Sequence, residues 1–372
     1  MNIKDNVVRF YVQNFIINRS QNIEVPGFIF FKLSGKTPIF ARQVVIPEDF
    51  FINLEKKISE KGEMAQQELY SAGKKFGYSF SLLGGFSNIN DKKGQDLVNY
   101  INVINKFIEG TYALKVECNI DTVTKICNYS MEDPIVVSKL GYGYFLPLGA
   151  AAGLLSYIFQ DSTIEGLLEK FDLATKKGDL LYAPAEHLKK ENRLFFTETN
   201  LQDLEPTPEY LSFNQIRPLK YSRYSFEMLL DSKFFSFNKG VIMNNNERYF
   251  ILEVSSLYII EKELKEYSKE IYESAFKTGY MMLNGIQNAS IETITDYASA
   301  FGWGDTVILK KKGGYVVNVD YFPYTKFYDE INYVIFSGFL AGMLSTVTNE
   351  NIQFNKTTKT LSNGYLSVSL FS

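Results

Sequence analysis

A single histidine, His187, stands in this chain of 372 residues, and that count narrows the chemistry at once. A Ser-His-Asp or Cys-His relay has to run through it, because imidazole is the side chain that exchanges a proton near neutrality. Nothing around His187 singles out a nucleophile, and it reads as a solvent-exposed loop histidine. Cys118 and Cys127 have no neighbouring Cys or His to complete a tetrahedral zinc site. They read as free thiols or, if their strands pair, as a disulfide. No GxGxxG or GKS/T follows a strand pattern, so neither a dinucleotide nor a P-loop nucleotide is indicated. Asp and Glu number 42, but no pair stands isolated in an apolar run as glycosidic acid–base work needs. The reactive residues point away from an enzyme, and no metal or cofactor is expected.

What the chain has in quantity is apolar and aromatic surface. Phe and Tyr number 31 and 25 against one Trp, and hydrophobic residues make up 45%. That much ring surface belongs in cores, in an interface or around an apolar ligand. The net charge is −3 with no local Lys/Arg stripe, so no nucleic-acid partner is expected. The opening MNIKDNVVRFYVQNF carries Lys4, Asp5 and Arg9 where a secretory signal needs an unbroken apolar run, which suggests a cytoplasmic protein. Leu140 to Gln160 and Ile331 to Asn349 are uncharged. Pro147 interrupts the first, leaving a helix of about 18 Å against the roughly 30 Å of a bilayer core. Asn332, Ser337, Ser345, Thr346, Thr348 and Asn349 dot the second. Both read as buried helices rather than transmembrane segments.

Stepping along the chain, the same blocks occur twice. Tyr70 to Tyr78 (YSAGKKFGY) answers Tyr272 to Tyr280 (YESAFKTGY) at an offset of 202 (272 − 70). Gly149 to Ser156 answers Gly338 to Ser345 as GxxAGxLS at an offset of 189 (338 − 149). Upstream, Val8-Arg9-Phe10 and Pro26 to Phe30 resemble Ser222-Arg223-Tyr224 and Lys239 to Met243. The order of the four blocks is conserved between the halves, which argues for tandem repeats. The falling offset leaves extra residues in the first copy, which the reading assigns to Cys118 to Gly141. Residues 1–205 form the first domain, with a Pro- and acid-rich linker at about 176–220, and residues 206–372 the second.

Each copy reads as a short strand pair, turning at Ser34-Gly35 or Asn244 to Asn246, and then a long amphipathic helix. That helix runs from Pro47 to Leu83, broken near Gly62, and from Leu257 to Asn284. In the second, Leu257, Ile260, Leu264, Tyr267, Ile271, Ala275 and Thr278 recur at three- and four-residue spacing. A further helix, alternating strands (Ala113 to Glu117; Thr306 to Lys310), the GxxAGxLS helix and closing strands follow. The fold class is α+β, two tandem repeats of a helical layer packed on an antiparallel sheet.

These blocks resemble the 4-vinyl reductase domain family, hydrocarbon-binding domains found widely in archaea. The second copy carries the resemblance through Tyr272 to Gly279, Phe301-Gly302-Trp303-Gly304, Gly338 to Ser345 and the strand after Gly364, the first through Tyr70 to Tyr78 and Gly149 to Ser156. The resemblance implies the fold shared by haem-nitric-oxide-binding sensors and TRAPP tethering subunits, the NO-signalling and Golgi-transport type of ligand-binding fold. In it helices and sheet enclose an apolar pocket, and members pair through their helices. Two departures stand out. The cysteine pair that many members carry in the last hairpin is absent from Lys356 to Ser367 and from Phe171 to Tyr182. No helix offers an axial histidine for haem.

The glycine pairs allow two readings, a close helix–helix contact or room for a flat apolar ligand. On the second, Gly77, Gly149, Gly153, Gly279, Gly338 and Gly342 leave the space that Tyr70, Tyr78, Tyr272, Tyr280 and Trp303 line. The expectation is non-enzymatic binding of a small apolar or lipid-like molecule by a monomer folded as an intramolecular pseudo-dimer. The alternative is a scaffold resembling TRAPP subunits, with a protein partner and no ligand.

Overall fold

A helix that is apolar on every side has to be buried on every side, and both GxxAGxLS segments are such helices. The structure, a computed structural model, describes residues 21–33, 39–83, 86–193, 199–201, 204, 219–238, 241–284, 286, 288–324, 330–356 and 364–371. The block at Val8-Arg9-Phe10, the Ser34-Gly35 turn, Lys239-Gly240 and the Pro206 boundary lie outside these residues.

The chain begins with strands β1 (Gln21–Asn22), β2 (Ile29–Leu33) and β3 (Ile39–Pro47) and helices α1 (Glu48–Ser59), α2 (Glu63–Leu83) and α3 (Gly94–Thr111). Next come the hairpin β4 (Lys115–Asp121) and β5 (Ile126–Glu132), helices α4 (Val137–Leu140) and α5 (Phe145–Ile158), strands β6 (Ile164–Asp172) and β7 (Lys177–Pro184), and helix α6 (Ala185–Lys190). The later part holds α7 (Phe226–Asp231), β8 (Ser236–Asn238), β9 (Val241–Asn244), β10 (Glu247–Glu253), α8 (Ser255–Glu263), α9 (Ser268–Leu283) and α10 (Ile291–Ala300). It closes with β11 (Asp305–Lys311), β12 (Gly314–Asp320), α11 (Val334–Thr348), β13 (Gln353–Lys356) and β14 (Leu366–Phe371). The break expected near Gly62 separates α1 from α2, with Gly62 at φ +105°, a left-handed conformation that costs glycine little.

Contacts divide the described residues into two units. Those between 55 and 204, with Asn238 and Val241, form the first, and those in 21–54, 219–237 and 242–371 the second. In the first unit the antiparallel sheet runs β4-β5-β7-β6. Cys127, Tyr129 and Met131 alternate inward against exposed Asn128 and Ser130, the period of a half-buried strand. Helix α5 lies across α2. In the second unit the corresponding sheet runs β11-β12-β14-β13, and α11 lies across α9. A further antiparallel sheet has the order β1-β2-β3-β10-β9-β8. At its centre Gln43 faces Glu253, Val45 faces Ile251 and Pro47 faces Tyr249. The β9–β10 turn passes through Asn245 and Asn246, both with positive φ, as a two-residue hairpin turn of this hand requires.

By its contacts the stretch 21–54 groups with the second unit, because β3 completes its ladder on β10. Two expectations need correction. The linker assigned from residue 176 begins later, since Lys177–Pro184 is β7, hydrogen-bonded on both sides to β5 and β6. Its lysine-rich start is a turn and Pro184 is its last residue, where the missing N–H does no harm. The extra length of the first half is not in Cys118 to Gly141, which is a plain hairpin and a short helix. It lies before α3 and within it: 32 positions separate Phe80 from Tyr112, the residue closing α3, whereas 19 separate Met282 from Phe301, the residue closing α10.

The helix pairs touch through their backbones. In the first unit a Cβ at Gly73 or Gly77 would overlap the carbonyl of Leu146 or Ala150. One at Gly149 or Gly153 would overlap the carbonyl of Tyr70 or Lys74, the latter also meeting Tyr78 N at 2.7 Å. In the second unit Gly279 presses on the Phe339 carbonyl, Gly338 lies 2.7 Å from Tyr272 O, and Gly342 lies on Phe276 O and 2.6 Å from Tyr280 N, all measured to an added Cβ. The helices can approach so closely only where the residue facing the partner backbone carries no side chain. Gly342→Leu is expected to lower stability by at least about 1–3 kcal/mol through overpacking. A urea melt with an unchanged midpoint would show that this face is open.

Candidate functional site

An apolar cleft opens beside each helix crossing. In the first unit it lies among α2, α3, β5 and α5, lined by Phe76, Gly77, Phe80, Ile108, Tyr112, Met131, Tyr144, Pro147, Ala150, Ala151 and Leu154. It encloses about 440 Å³ of empty space, the mouth included, around a cavity of about 40 Å³. In the second unit the cleft is lined by Val45, Pro47, Met282, Tyr297, Ala298, Phe301, Trp303, Phe336, Phe339 and Met343. There the empty space is about 330 Å³ and the cavity about 20 Å³. An apolar cavity of about 150 Å³ is what a benzene ring occupies. A ligand of that size therefore enters only as the half-buried side chains at the rim, Phe80 and Tyr112 in the first unit, give way.

Each cleft has one wall made by the buried helix, and a buried carboxylate holds the start of that helix. Tyr144 and Tyr333, both fully enclosed, precede α5 and α11 with φ of 81° and 55°. At the first turns, Glu55 accepts from Leu146 N at 2.8 Å, and Glu261 accepts from Val334 N at 2.9 Å and Ile335 N at 3.1 Å. These are N–H groups that the helix itself leaves unpaired. Burial pushes both carboxyls up to about 7, while the backbone donors pull the other way. The sequence carries the signal for both: Glu55 follows Leu54 on the stripe Phe51, Leu54, Ile58, and Glu261 follows Ile260 on the stripe Leu257, Ile260, Leu264. An acid on an apolar stripe is buried with it.

A second buried cluster ties α2 to β6 in the first unit. Tyr70 Oη donates to Glu165 Oε2 at 2.7 Å and accepts from Gly166 N at 2.8 Å. Lys74 Nζ donates to Glu165 Oε1 at 2.6 Å and to the Ser162 carbonyl at 2.9 Å. Lys74 and Glu165 are both fully buried. Burial first, and the Glu165 charge second, hold the Tyr70 hydroxyl well above its usual range. In the second unit Tyr272 Oη likewise accepts from Phe354 N at 3.1 Å, but Phe276 stands one turn on where the first unit has Lys74. The residue before Phe354 is Gln353, an exposed amide.

The sequence-predicted site residues scatter across these features. Gly77 and Trp303 line the clefts. Gly149, Gly153, Gly279, Gly338 and Gly342 lie in the helix crossings. Tyr70 is in the Glu165 cluster, Tyr78 meets Tyr157 edge-on at 5.4 Å, Tyr272 packs on Phe276 and Phe354, and Tyr280 is exposed. Cys118 and Cys127 are free thiols on β4 and β5; burial pushes both up. His187, expected in an exposed loop, is instead half-buried on the short helix α6, beside Glu191. Among the described residues no cluster of three or more His, Cys, Asp and Glu forms a metal-like group, and no helix is long and apolar enough to cross a membrane.

No family model matches the chain, and no curated protein matches it. Among solved structures it is similar to the crystal structure of the phenol-responsive sensory domain of the transcription activator PoxR with phenol, at 12% identity and a TM-score of 0.35. That match covers 52% of this chain and 99% of the other. A similarity at that level leaves the 4-vinyl reductase resemblance resting on its motifs.

Two outcomes test the buried charges. A carboxyl raised to about 7 keeps its proton in the folded state at pH values where the unfolded chain has lost it. Its contribution to stability is full below about 4.5 and is lost as pH rises through about 7, up to roughly 3 kcal/mol per group. Glu261→Gln keeps an acceptor for the helix start without the charge. Its urea midpoint relative to the parent is expected to rise steadily between pH 4.5 and 8, and a flat difference would rule the titration out. Lys74→Phe leaves Glu165 buried without its cation and is expected to cost about 3–5 kcal/mol. Adding Glu165→Gln, the pair of residue types found at Phe276 and Gln353, is expected to recover most of that loss in the same melts.

Proposed function

We propose that this chain is a binding protein, not an enzyme, built from two tandem copies of one α+β module that hold a small apolar or lipid-like molecule. The observation that carries this reading is the coincidence of the two clefts. Phe80 on α2 and Met282 on α9 are related by the offset of 202. Ile108, Tyr112, Pro147, Ala150 and Leu154 are related to Tyr297, Phe301, Phe336, Phe339 and Met343 by the offset of 189. Six lining positions recurring at the spacings of the sequence blocks speak for one inherited pocket. The shared strand order, the Glu55 and Glu261 caps and the reciprocal glycine contacts support the duplication.

The six-stranded sheet supports a pairing of the copies. Its β3–β10 register is symmetric about Val45 and Ile251, and Arg42 and Arg248 are related by the same offset of 206 as that central pair. Two like hairpins joined edge to edge around a local two-fold are what an intramolecular pseudo-dimer requires. The small cavities favour a second reading, a scaffold for a protein partner in which the pocket is vestigial.

Native mass spectrometry of freshly purified full-length protein separates the two. Co-purification of an apolar small molecule at stoichiometric level is the expected result. A clean unliganded mass, together with no response to added apolar probes, would overturn the binding reading in favour of the scaffold.

A further inference from the structure

We infer that the two clefts have diverged, so that the first unit's cleft takes a flat, single-ring apolar molecule while the second is stoppered by the chain's own rings. The inference rests on the binding reading above and adds which copy acts and what shape of ligand fits.

The difference lies in the wall that α5 and α11 supply. At the three positions where the first unit has Pro147, Ala150 and Ala151, the second has Phe336, Phe339 and Leu340. Phe336 and Phe339 line the second cleft and are buried. The Phe336 ring lies 5.0 Å from that of Trp303 and 4.9 Å from Phe322, and the Phe339 ring 5.5 Å from Phe50. These are ring-to-ring packing distances, so the space is taken by side chains that already have partners. The first cleft has no such plug. Its floor is Gly77 with Ala150 and Ala151, both half-buried, and its sides are the rings of Phe76, Phe80 and Tyr112.

A flat floor of small residues between aromatic sides favours a planar ligand over a branched one, because ring faces pack on ring faces and the floor gives no knob to go round. The enclosed cavity, about 40 Å³ within about 440 Å³ of cleft and mouth, admits a ring only once Phe80 or Tyr112 moves. Polar anchoring is sparse. The Tyr144 hydroxyl donates to Met131 Sδ at 3.6 Å, and a thioether is a weak acceptor.

The test uses the full chain and fluorobenzene, followed by ¹⁹F NMR titration. One site per chain is expected. Ala150→Phe, which puts the ring of Phe339 into the first cleft, is expected to abolish binding, and Phe339→Ala to add a second site. Circular dichroism and thermal melting report whether each variant is folded. Should Ala150→Phe not fold, Ala151→Leu narrows the same floor and is expected to weaken binding at least tenfold. Two sites in the parent, or a single site that survives both floor substitutions, would overturn the inference while leaving the binding reading intact. A first site that appears only in Phe339→Ala overturns it too. No binding of fluorobenzene in the parent or in any variant overturns the inference, while the native mass spectrum decides the binding reading separately.

Discussion

Backbone-to-backbone contact between two helices is the constraint on which each unit depends. A methyl group at Gly153 or Gly342 would sit inside the van der Waals shell of a main-chain atom on the partner helix, and main-chain atoms cannot swing aside as a side-chain end can. The glycines are therefore reciprocal. Gly77 receives a carbonyl of α5 while Gly149 and Gly153 receive carbonyls of α2. On its other faces α5 meets β6 and leaves Ala150 and Ala151 half-buried at the cleft, whereas α11 meets α8, α10, β13 and β14.

Such a close pair leaves polar groups stranded, and four buried or half-buried side chains serve some of them. Glu55 and Glu261 take the free N–H groups at the start of α5 and α11. Tyr70 and Tyr272 reach from the long helix to an N–H of the strand that follows the buried helix. Around this shared frame the units differ in how they fill space. The first binds its long helix to β6 with an ion pair, Lys74 and Glu165, and keeps small residues on the cleft floor. The second has Phe276 and Gln353 in those places, and gathers Trp303, Phe322, Phe336 and Phe339 into a ring cluster. A buried ion pair contributes little net stability but tolerates no loss of a partner, whereas packed rings stabilise through area.

The Gly302-Trp303-Gly304 turn shows how the second unit holds that cluster. Gly302 and Gly304 have φ of 86° and 101°. The Gly302 carbonyl accepts from Arg42 at 2.9 Å, and Gly304 N donates to the Gly27 carbonyl at 3.0 Å. Arg42, fully buried, also reaches the Tyr321 carbonyl at 3.0 Å and lies over the Phe28 ring. One cation thus ties the N-terminal hairpin to the turn that presents Trp303.

By itself the sequence determined the local elements and the helix crossings. Apolar spacing marked the long helices, alternation marked the strands, and the GxxAGxLS blocks marked two helices with room for a backbone on one face. These are short-range properties, set by the periods of helix and strand. Tertiary structure alone decided what pairs with what. Nothing in the period of β3 says that its ladder is completed by β10, some two hundred residues on, because edge pairing depends on which strand arrives and not on spacing. The glycine faces could be read as contact or as pocket, and the answer depends on a partner helix that spacing does not specify. Lys74 and Glu165 neutralise each other across 91 positions, a pairing visible only once both are dry. The clefts were beyond the sequence for the same reason. Whether Ala150 and Phe339 make a floor or a plug depends on the three other elements that close around them.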